Sequence, residues 1–414
     1  MNSYELDKLK KKLQEQLIND IAQQNYTSDE EIYEVIERNV FREAYNIYIT
    51  ADEKQYLVKS VYNSIKGLDV LQDIVDNPDI TEIMVNGPEH IFIERDGKIT
   101  EYPGHFVSLQ KLEDVIQQIV AKVNRMVNEA SPIVDVRLLD GSRVNIVLPP
   151  VSLDGPVVTI RKFPKNPMTM DNLLETGSIN KEVADFLKTL VIAKYNIFIS
   201  GGTGSGKTTF LNVLSNYIPQ DERIITIEDS AELQIHGVPN LVRLEVRNAN
   251  VEGKNAITIR DLLKSALRMR PTRIILGEVR DAAACELLSV MNTGHDGSLS
   301  TGHANNTLDM LHRLETLVLM GMDIPLLAVR NQIASAIDIV VQLGRLRDKS
   351  RKVLEVAEVT GVQDGEITVQ PLYKFVETGV DVQGRIKGEL QATGNKLLYT
   401  GKLVHAGLLG NNNI

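Results

Sequence analysis

The chain has 414 residues, 43% of them hydrophobic and 24% charged, which is ordinary globular composition and enough for two or three domains with cores. A formal charge of −10 argues against wrapping nucleic acid over a large surface, leaving only a local basic channel open. No apolar run reaches the ~18 residues of a membrane span, the polar start Met1-Asn2-Ser3-Tyr4-Glu5 is no secretory signal, and a single cysteine, Cys285, excludes an internal disulfide and a multi-cysteine zinc module and fits a reducing cytosol.

Residues 1–66 read as helices. Leu6, Leu9, Leu13, Leu17 and Ile21 recur at helical spacing. Ser28-x-x-Glu31 and Thr50-x-x-Glu53 each have the form of a capping box ahead of an apolar helical pattern. Lys8, Lys10, Lys11 and Lys12 form a basic cluster, either a solvated face or a contact for an anionic lipid surface. This segment reads as a small bundle or a mobile arm. Residues 67–163 change texture to an α+β domain. Strands are expected at 81–86, 91–94, 134–138, 143–148 and 157–161, with one helix presenting Leu112, Val115, Ile116, Ile119 and Val120 on a single face. Turns are expected at Asp96-Gly97 and at Leu139-Asp140-Gly141-Ser142.

Phe163-Pro164-Lys165-Asn166-Pro167 opens a linker assigned to 164–180, a junction at which a ligand would fit. From about 168 to 345 strands and helices alternate, which implies a parallel sheet covered on both faces. The expected strands are 197–200, 224–228, 273–277, 297–301 and 337–343. The expected helices are 207–218, 258–269, 282–292, 307–319 and 325–335. Short strands follow at 353–360 and 366–371, closing an α/β domain over 181–375. The tail 376–414 is glycine-rich and weakly patterned, and its last residues, Gly410-Asn411-Asn412-Asn413, read as disordered.

Within that domain, Gly201-Gly202-Thr203-Gly204-Ser205-Gly206-Lys207-Thr208 fits the P-loop pattern, followed by Thr209. An apolar segment, Asn196-Ile197-Phe198-Ile199-Ser200, precedes it, and a helical pattern with Phe210, Leu211, Val213 and Leu214 follows. Glycines let the loop's N–H groups turn inward on a phosphate, and the helix N-terminus adds partial positive charge. Lys207 is assigned to the β- and γ-phosphates of ATP and the Thr208 hydroxyl to Mg²⁺. Gly202, Thr203, Gly204, Ser205, Gly206, Lys207, Thr208 and Thr209 are the expected nucleotide-binding residues.

Two acids end apolar strands downstream. Arg273-Ile274-Ile275-Leu276-Gly277-Glu278 is a Walker B arrangement without the usual aspartate, and Glu278 would hold the Mg²⁺ shell or polarise water. Glu228 closes Ile224-Ile225-Thr226-Ile227-Glu228 and is the candidate for activating water. His295 and His303 flank a strand of small residues, placed to sense the γ-phosphate or relay a proton. A metal site is disfavoured, because no cysteine joins them and they stand eight residues apart. Taken alone, each histidine reads as packed or solvent-facing. Cys285, in Ala284-Cys285-Glu286-Leu287, reads as a small buried helix residue.

GGTGSGKTT at 201–209, TIEDSAEL at 226–233, RPTRIILGEVRD at 270–281 and GHDGSLSTGHANN at 294–306 together resemble the secretion ATPase superfamily of type II and type IV secretion, type IV pili and archaella. They correspond to its Walker A, Asp box, atypical Walker B and His box. Within it, ITEIMVNGPEHIFIERDGKI at 80–99, RLLDGSRVNIVLPPVSLDGPVVTIRKF at 137–163 and LEVAEVTG at 354–361 resemble the tight-adherence (Flp) pilus ATPases of the CpaF type. The resemblance spans about 70–375. It implies a RecA-like P-loop ATPase domain preceded by an α+β, PAS-like domain, working as a homohexamer with the nucleotide between the two. It also implies phosphate-contacting arginines from the N-terminal domain, best matched by Arg143 and Arg161, with Arg137 less close. Its implied partners are further copies of itself and an inner-membrane platform protein, with no nucleic acid, at the cytoplasmic face of the membrane. The type II assembly ATPases carry a tetracysteine module that this chain lacks. The competing readings are a RecA-like translocase on DNA and a non-catalytic nucleotide-gated scaffold. A GTPase is disfavoured, since no N-K-x-D motif appears.

Overall fold

The computed structural model describes residues 9, 10, 12–14, 16, 17, 28–44, 49–95, 97–123, 125–138, 140–163, 167–247, 249 and 254–408. They belong to two compact units, 1–166 and 167–414. Leu6, Ile21, Lys8, Lys11, Asp96, Leu139, the 164–166 part of the linker and the asparagine-rich end, all named above, lie outside the described residues.

In the first unit, Leu9, Leu13 and Leu17 are helical and buried. They pack with α1 (Asp29–Ala44) and α2 (Ala51–Ile65) through Ile32, Ile36, Val40, Leu57 and Val61. Both capping boxes form. Ser28 Oγ accepts from Glu31 N at 3.1 Å while the Glu31 carboxylate accepts from Ser28 N at 3.4 Å, and Thr50 and Glu53 make the same reciprocal pair. After α3 (Val70–Asp76) come β1 (Ile80–Asn86), β2 (His90–Arg95), β3 (Lys98–Tyr102), α4 (Leu109–Lys122), β4 (Ile133–Arg137), β5 (Arg143–Val147) and β6 (Val157–Arg161). The strands make one antiparallel sheet in the order β3-β2-β1-β6-β5-β4. All five expected residues of α4 are buried against Ile83, Val85, Ile91, Val144, Ile146, Val158 and Ile160. Each such aliphatic contributes about 1.5–3 kcal/mol on burial. The sequence reading missed β3, because Lys98-Ile99-Thr100-Glu101-Tyr102 is an almost wholly exposed edge with no apolar alternation.

The second unit begins with α5 (Met170–Glu175) and α6 (Lys181–Ile192). Then follow β7 (Ile197–Gly201), α7 (Lys207–Ser215), β8 (Arg223–Glu228), β9 (Asn240–Glu245), α8 (Ile259–Ala266), β10 (Arg273–Leu276), α9 (Ala284–Asn292), β11 (Leu299–Gly302), α10 (Thr307–Leu319), α11 (Leu326–Ala336), β12 (Ile339–Arg345), β13 (Arg351–Gln363), β14 (Glu366–Val380), β15 (Ile386–Ala392) and α12 (Gly401–His405). The sheet order is β15-β14-β13-β12-β7-β11-β10-β8-β9. The six strands from β12 to β9 run parallel. Alternate residues split between the faces: Ile197, Ile199, Ile275, Ile339 and Val341 pack with α6 and α7, and Phe198, Ile274, Leu276 and Val340 pack with α9, α10 and α11.

Three features depart from the sequence reading. β9 was missed, because its exposed alternation Asn240-Leu241-Val242-Arg243-Leu244-Glu245 is that of an edge strand. The sheet is mixed, since β13, β14 and β15 continue it antiparallel from β12. The tail from 376 is also more patterned than expected, because β14 runs on to Val380 and β15 and α12 follow. Bulges at Val356/Ala357, Val359/Gly361 and Glu377/Gly379 break the alternation that would have revealed these strands.

The edge of the sheet where its parallel strands begin carries a buried ion pair. Arg273 Nε and Nη2 donate to Glu222 Oε2 and Oε1 at 2.7 and 2.6 Å, and Nη1 donates to the Val191 carbonyl at 2.6 Å. Gly297, at φ +83°, leaves room for that guanidinium, because a Cβ there would sit 2.6 Å from Arg273 Nη1. Gly297→Ala combines backbone strain with overpacking and is expected to cost about 2–4 kcal/mol of stability by chemical denaturation.

Candidate nucleotide site

β7 ends against β12, and the close approach explains Gly201: a Cβ there would lie 2.7 Å from the Leu343 carbonyl oxygen and 2.5 Å from Ser205 Oγ. The chain then turns through Gly204 at φ +71° and Gly206 at φ +93° into α7. Nothing stands within 4 Å of where a Cβ on Gly202 or Gly204 would be, so the loop lines an open cradle. Gly206 caps α7 without a side-chain hydrogen bond, which leaves the helix N-terminus for a ligand. Thr208 and Thr209 are half-buried in its first turn.

Lys207 lies inside this turn, 7% exposed. Its Nζ donates to the Gly202 carbonyl at 2.9 Å and contacts His303 Nδ1 at 3.3 Å. An ammonium only donates, so Nδ1 accepts and the imidazole proton sits on Nε2. That nitrogen lies 3.0 Å from Glu278 Oε1. Glu278 Oε2 in turn accepts from Arg280 at 2.9 Å, and Arg280 stands 3.6 Å from Asp229. Burial lowers the Lys207 pKa, opposed by Glu278 and helped by Arg280. Burial likewise lowers that of His303, against the pull of Glu278, so a neutral imidazole is the form that bridges the two. Lys207, His303, Glu278 and Arg280 therefore make one chain of contacts drawn from α7 and from the segments just after β11 and β10. These stand at the carboxyl ends of parallel strands, where open α/β sheets place their ligands.

Glu228 ends β8, next to β10, and is 2% exposed. Its Oε2 accepts from the amides of Glu232 and Leu233 at 2.6 and 2.9 Å, while Oε1 is buried without a partner. Burial dominates and pushes its pKa up to about 7, despite those two amides. A Cβ on Gly277 would lie 3.1 Å from Glu228 Cγ, so the glycine before Glu278 makes room for Glu228.

His295 is not brought to this cluster. It precedes β11 at the opposite edge of the sheet, next to Gly297 and Ser298, whose amides bond the Asn196 side chain ahead of β7. As the sequence reading expected, strand β11 separates the two histidines, and it carries them to opposite ends of the sheet. Arg143 and Arg161 belong to the first unit. There Arg137, Arg143 and Arg161 stand directly opposite one another across β4, β5 and β6, with Glu82 next in the row on β1. The sequence reading gave no role to Arg280, although it stands two residues after the strand-end acid. Nor did it single out Arg351, whose Nε donates to the Gly204 carbonyl at 3.0 Å. No short motif marks that residue.

The open glycine cradle with a buried lysine suits a polyphosphate, and the Thr208 hydroxyl and the Glu278 carboxylate are oxygen ligands of the kind Mg²⁺ takes, few from protein and several from phosphate. Among the described residues no group of three or more His, Cys, Asp or Glu could hold a metal ion, and no helix is long and apolar enough to cross a membrane.

Residues 65–387 match the family described as type II/IV secretion system protein. The chain belongs to the type II/IV secretion system protein family. It is 31% identical over 306 residues to a putative conjugal transfer protein of Mycobacterium tuberculosis, covering 72% of this chain and 86% of that one. It is 32% identical over 303 residues to the type IV secretion system protein VirB11 of Brucella suis, covering 67% and 84%. Among solved structures, the ATPase DotB of Legionella pneumophila superposes with a TM-score of 0.51 at 21% identity, covering 70% of this chain and 79% of that one. That likeness shows the shared mixed α/β fold, with its RecA-like sheet.

Proposed function

We propose that this family member is a Mg²⁺-dependent ATPase that works as a homohexameric motor, powering a tight-adherence pilus or a related secretion machine from the cytoplasmic face of the membrane. The observation that carries the reading is the continuous contact from Lys207 through His303 to Glu278 at the mouth of the glycine loop. Family membership and the motif resemblance support the motor; the resemblance alone supports the pilus. The relatives named for conjugal transfer and type IV secretion favour a second assignment of the same motor, to a conjugal or type IV secretion apparatus.

Lys207 and the loop amides hold the phosphate chain, and Lys207 leaves the Gly202 carbonyl to do so. His303 stays neutral and reports on the γ-phosphate through Lys207 and Glu278. Thr208 and Glu278 would hold Mg²⁺, which would neutralise phosphate charge. Glu228 takes the proton of the attacking water, and a pKa near 7 suits a base that must work at neutral pH. An arginine of the Arg143 and Arg161 row stabilises developing charge. Hydrolysis drives a domain motion, and a platform protein converts that motion.

ATP hydrolysis with Mg²⁺, measured with mass by light scattering, tests this reading. The expected result is turnover in a hexamer-sized species. A monomer without turnover, with or without nucleotide, would favour the scaffold. Strong stimulation by single-stranded DNA with a steep salt dependence would favour the translocase. Glu228 must be deprotonated to act as base, so kcat is expected to rise with pH and level off above about 7. Glu228→Gln is expected to bind nucleotide normally and to show no such limb, because its turnover is lost.

A further inference from the structure

Arg351 opens β13, across β12 from the glycine loop. Its Nε donates to the Gly204 carbonyl at 3.0 Å, and a Cβ on Gly206 would meet its Cδ at 3.5 Å. The side chain is exposed, yet it lies against the loop instead of extending into water. Among the described residues no carboxylate pairs with it, and its two terminal amino groups have no hydrogen-bond partner. One nitrogen of the fork is therefore anchored on the loop while the other two remain available.

The turn before Arg351 holds this pose. Leu346 N bonds Ser350 O at 2.8 Å and Lys349 N bonds Leu346 O at 2.9 Å. Asp348 Oδ1 accepts from the Ser350 amide and hydroxyl at 2.9 and 2.6 Å, and Oδ2 accepts from Ile386 N at 2.8 Å. Arg347 pairs with Glu377 on β14. The loop thus gathers the α7 N-terminus, Lys207 from one side and Arg351 from the other. That surplus of positive charge calls for an anion with several oxygens, and a guanidinium is the cation suited to binding two of them at once.

We propose that Arg351 is a phosphate-contacting residue of the nucleotide site, supplied by the same chain through β13. Its terminal amino groups take up oxygens of the nucleotide phosphate chain while Nε stays on Gly204. The assignment rests on the nucleotide reading above and adds to it a direct tie between the ligand and the antiparallel edge β13-β14-β15.

The test is titration of fluorescent mant-ADP with Mg²⁺ into wild type, Arg351→Ala, Arg351→Gln and Lys207→Ala, with the melting temperature of each measured without nucleotide. Loss of a charge-assisted contact is expected to weaken mant-ADP binding by roughly tenfold in both Arg351 variants. The nucleotide-free melting temperatures are expected to match wild type, since an exposed side chain with one hydrogen bond contributes little to folding. Glutamine still offers a donor to Gly204, so equal weakening in both variants separates the lost fork from the lost anchor. Wild-type affinity in Arg351→Ala would overturn the proposal. A lowered melting temperature alongside weaker binding would overturn it too, by assigning Arg351 to the shape of the loop. If wild type bound no mant-ADP, the nucleotide reading itself would fall and this assignment with it. Binding lost in Lys207→Ala but kept in Arg351→Ala would remove only the latter.

Discussion

Lys207→Ala is expected to leave ATP hydrolysis at background in the presence of Mg²⁺. Among the described residues, Lys207 is the ammonium inside the glycine turn, 2.9 Å from the Gly202 carbonyl and beside His303. Its burial costs free energy that only an anion or acceptor recovers, and its lowered pKa records that cost. With alanine there, the phosphate chain loses its main cation and His303 loses the donor that keeps its proton on Nε2. An interaction that strengthens as the γ-phosphoryl charge redistributes is worth a factor of roughly 10²–10³ or more in kcat. The assay is phosphate release, with a thermal melt to show that the variant folds. Turnover within about tenfold of wild type would remove Lys207, and with it the P-loop chemistry, from the mechanism.

Arg273→Ala is the largest expected loss of stability. Arg273 is fully buried and bidentate to Glu222, whose side chain is only 8% exposed. Burial raises the Glu222 pKa, and the hydrogen bonds and charge of Arg273 outweigh it to leave the net shift downward. Removing the guanidinium strands a buried carboxylate, with Lys194, 3.7 Å away, as partial relief, while the Val191 carbonyl keeps the Lys194 amide at 3.2 Å. Breaking such a pair costs about 3–5 kcal/mol. Since the folded-state pKa of Glu222 is depressed, its contribution is present above the ordinary carboxyl range and is lost as pH falls through the lowered value. The penalty of Arg273→Ala should therefore shrink in acid. Removing both charges, in Arg273→Met with Glu222→Leu, is expected to recover most of the stability. A urea midpoint unchanged in Arg273→Ala would show that the pair contributes nothing.

The core of the ATPase sheet was legible because its strands are near-continuous apolar runs bounded by glycine or an acid, as in Ile197–Gly201 and Arg273–Leu276. The glycine loop was legible because it needs both special φ angles and small residues at a fixed spacing. Edge strands were not, since β3 is almost wholly exposed and β9 only partly buries Leu241, Val242 and Leu244. Strand ends also sorted the candidates: Glu278 and His303 follow β10 and β11 and meet, whereas His295, before β11, is carried to the far edge. A sequence shows that two histidines flank a strand; only the parallel register decides which of them meets Lys207 of the glycine loop. Arg351 was illegible for a further reason, since it reaches Gly204 from 147 residues away.

The segment after β15 returns to the far edge of the sheet. Tyr195 Oη donates to the Tyr399 carbonyl at 2.7 Å, buried Glu358 accepts from the amides of Leu398 and Tyr399, and Lys402 bonds Asp338 at 2.7 Å. Leu403, fully buried, belongs to the same apolar cluster as Leu187, Leu190 and Phe210. During synthesis, then, β7 and α7 emerge some two hundred residues before their last packing partner. A ribosome that has exposed only as far as β14 holds a glycine loop already in sequence but over an unfinished core, with Glu358 lacking its two amides. Closure must wait until residues 398–403 have emerged, and until then the sheet offers an unsealed apolar face to chaperones.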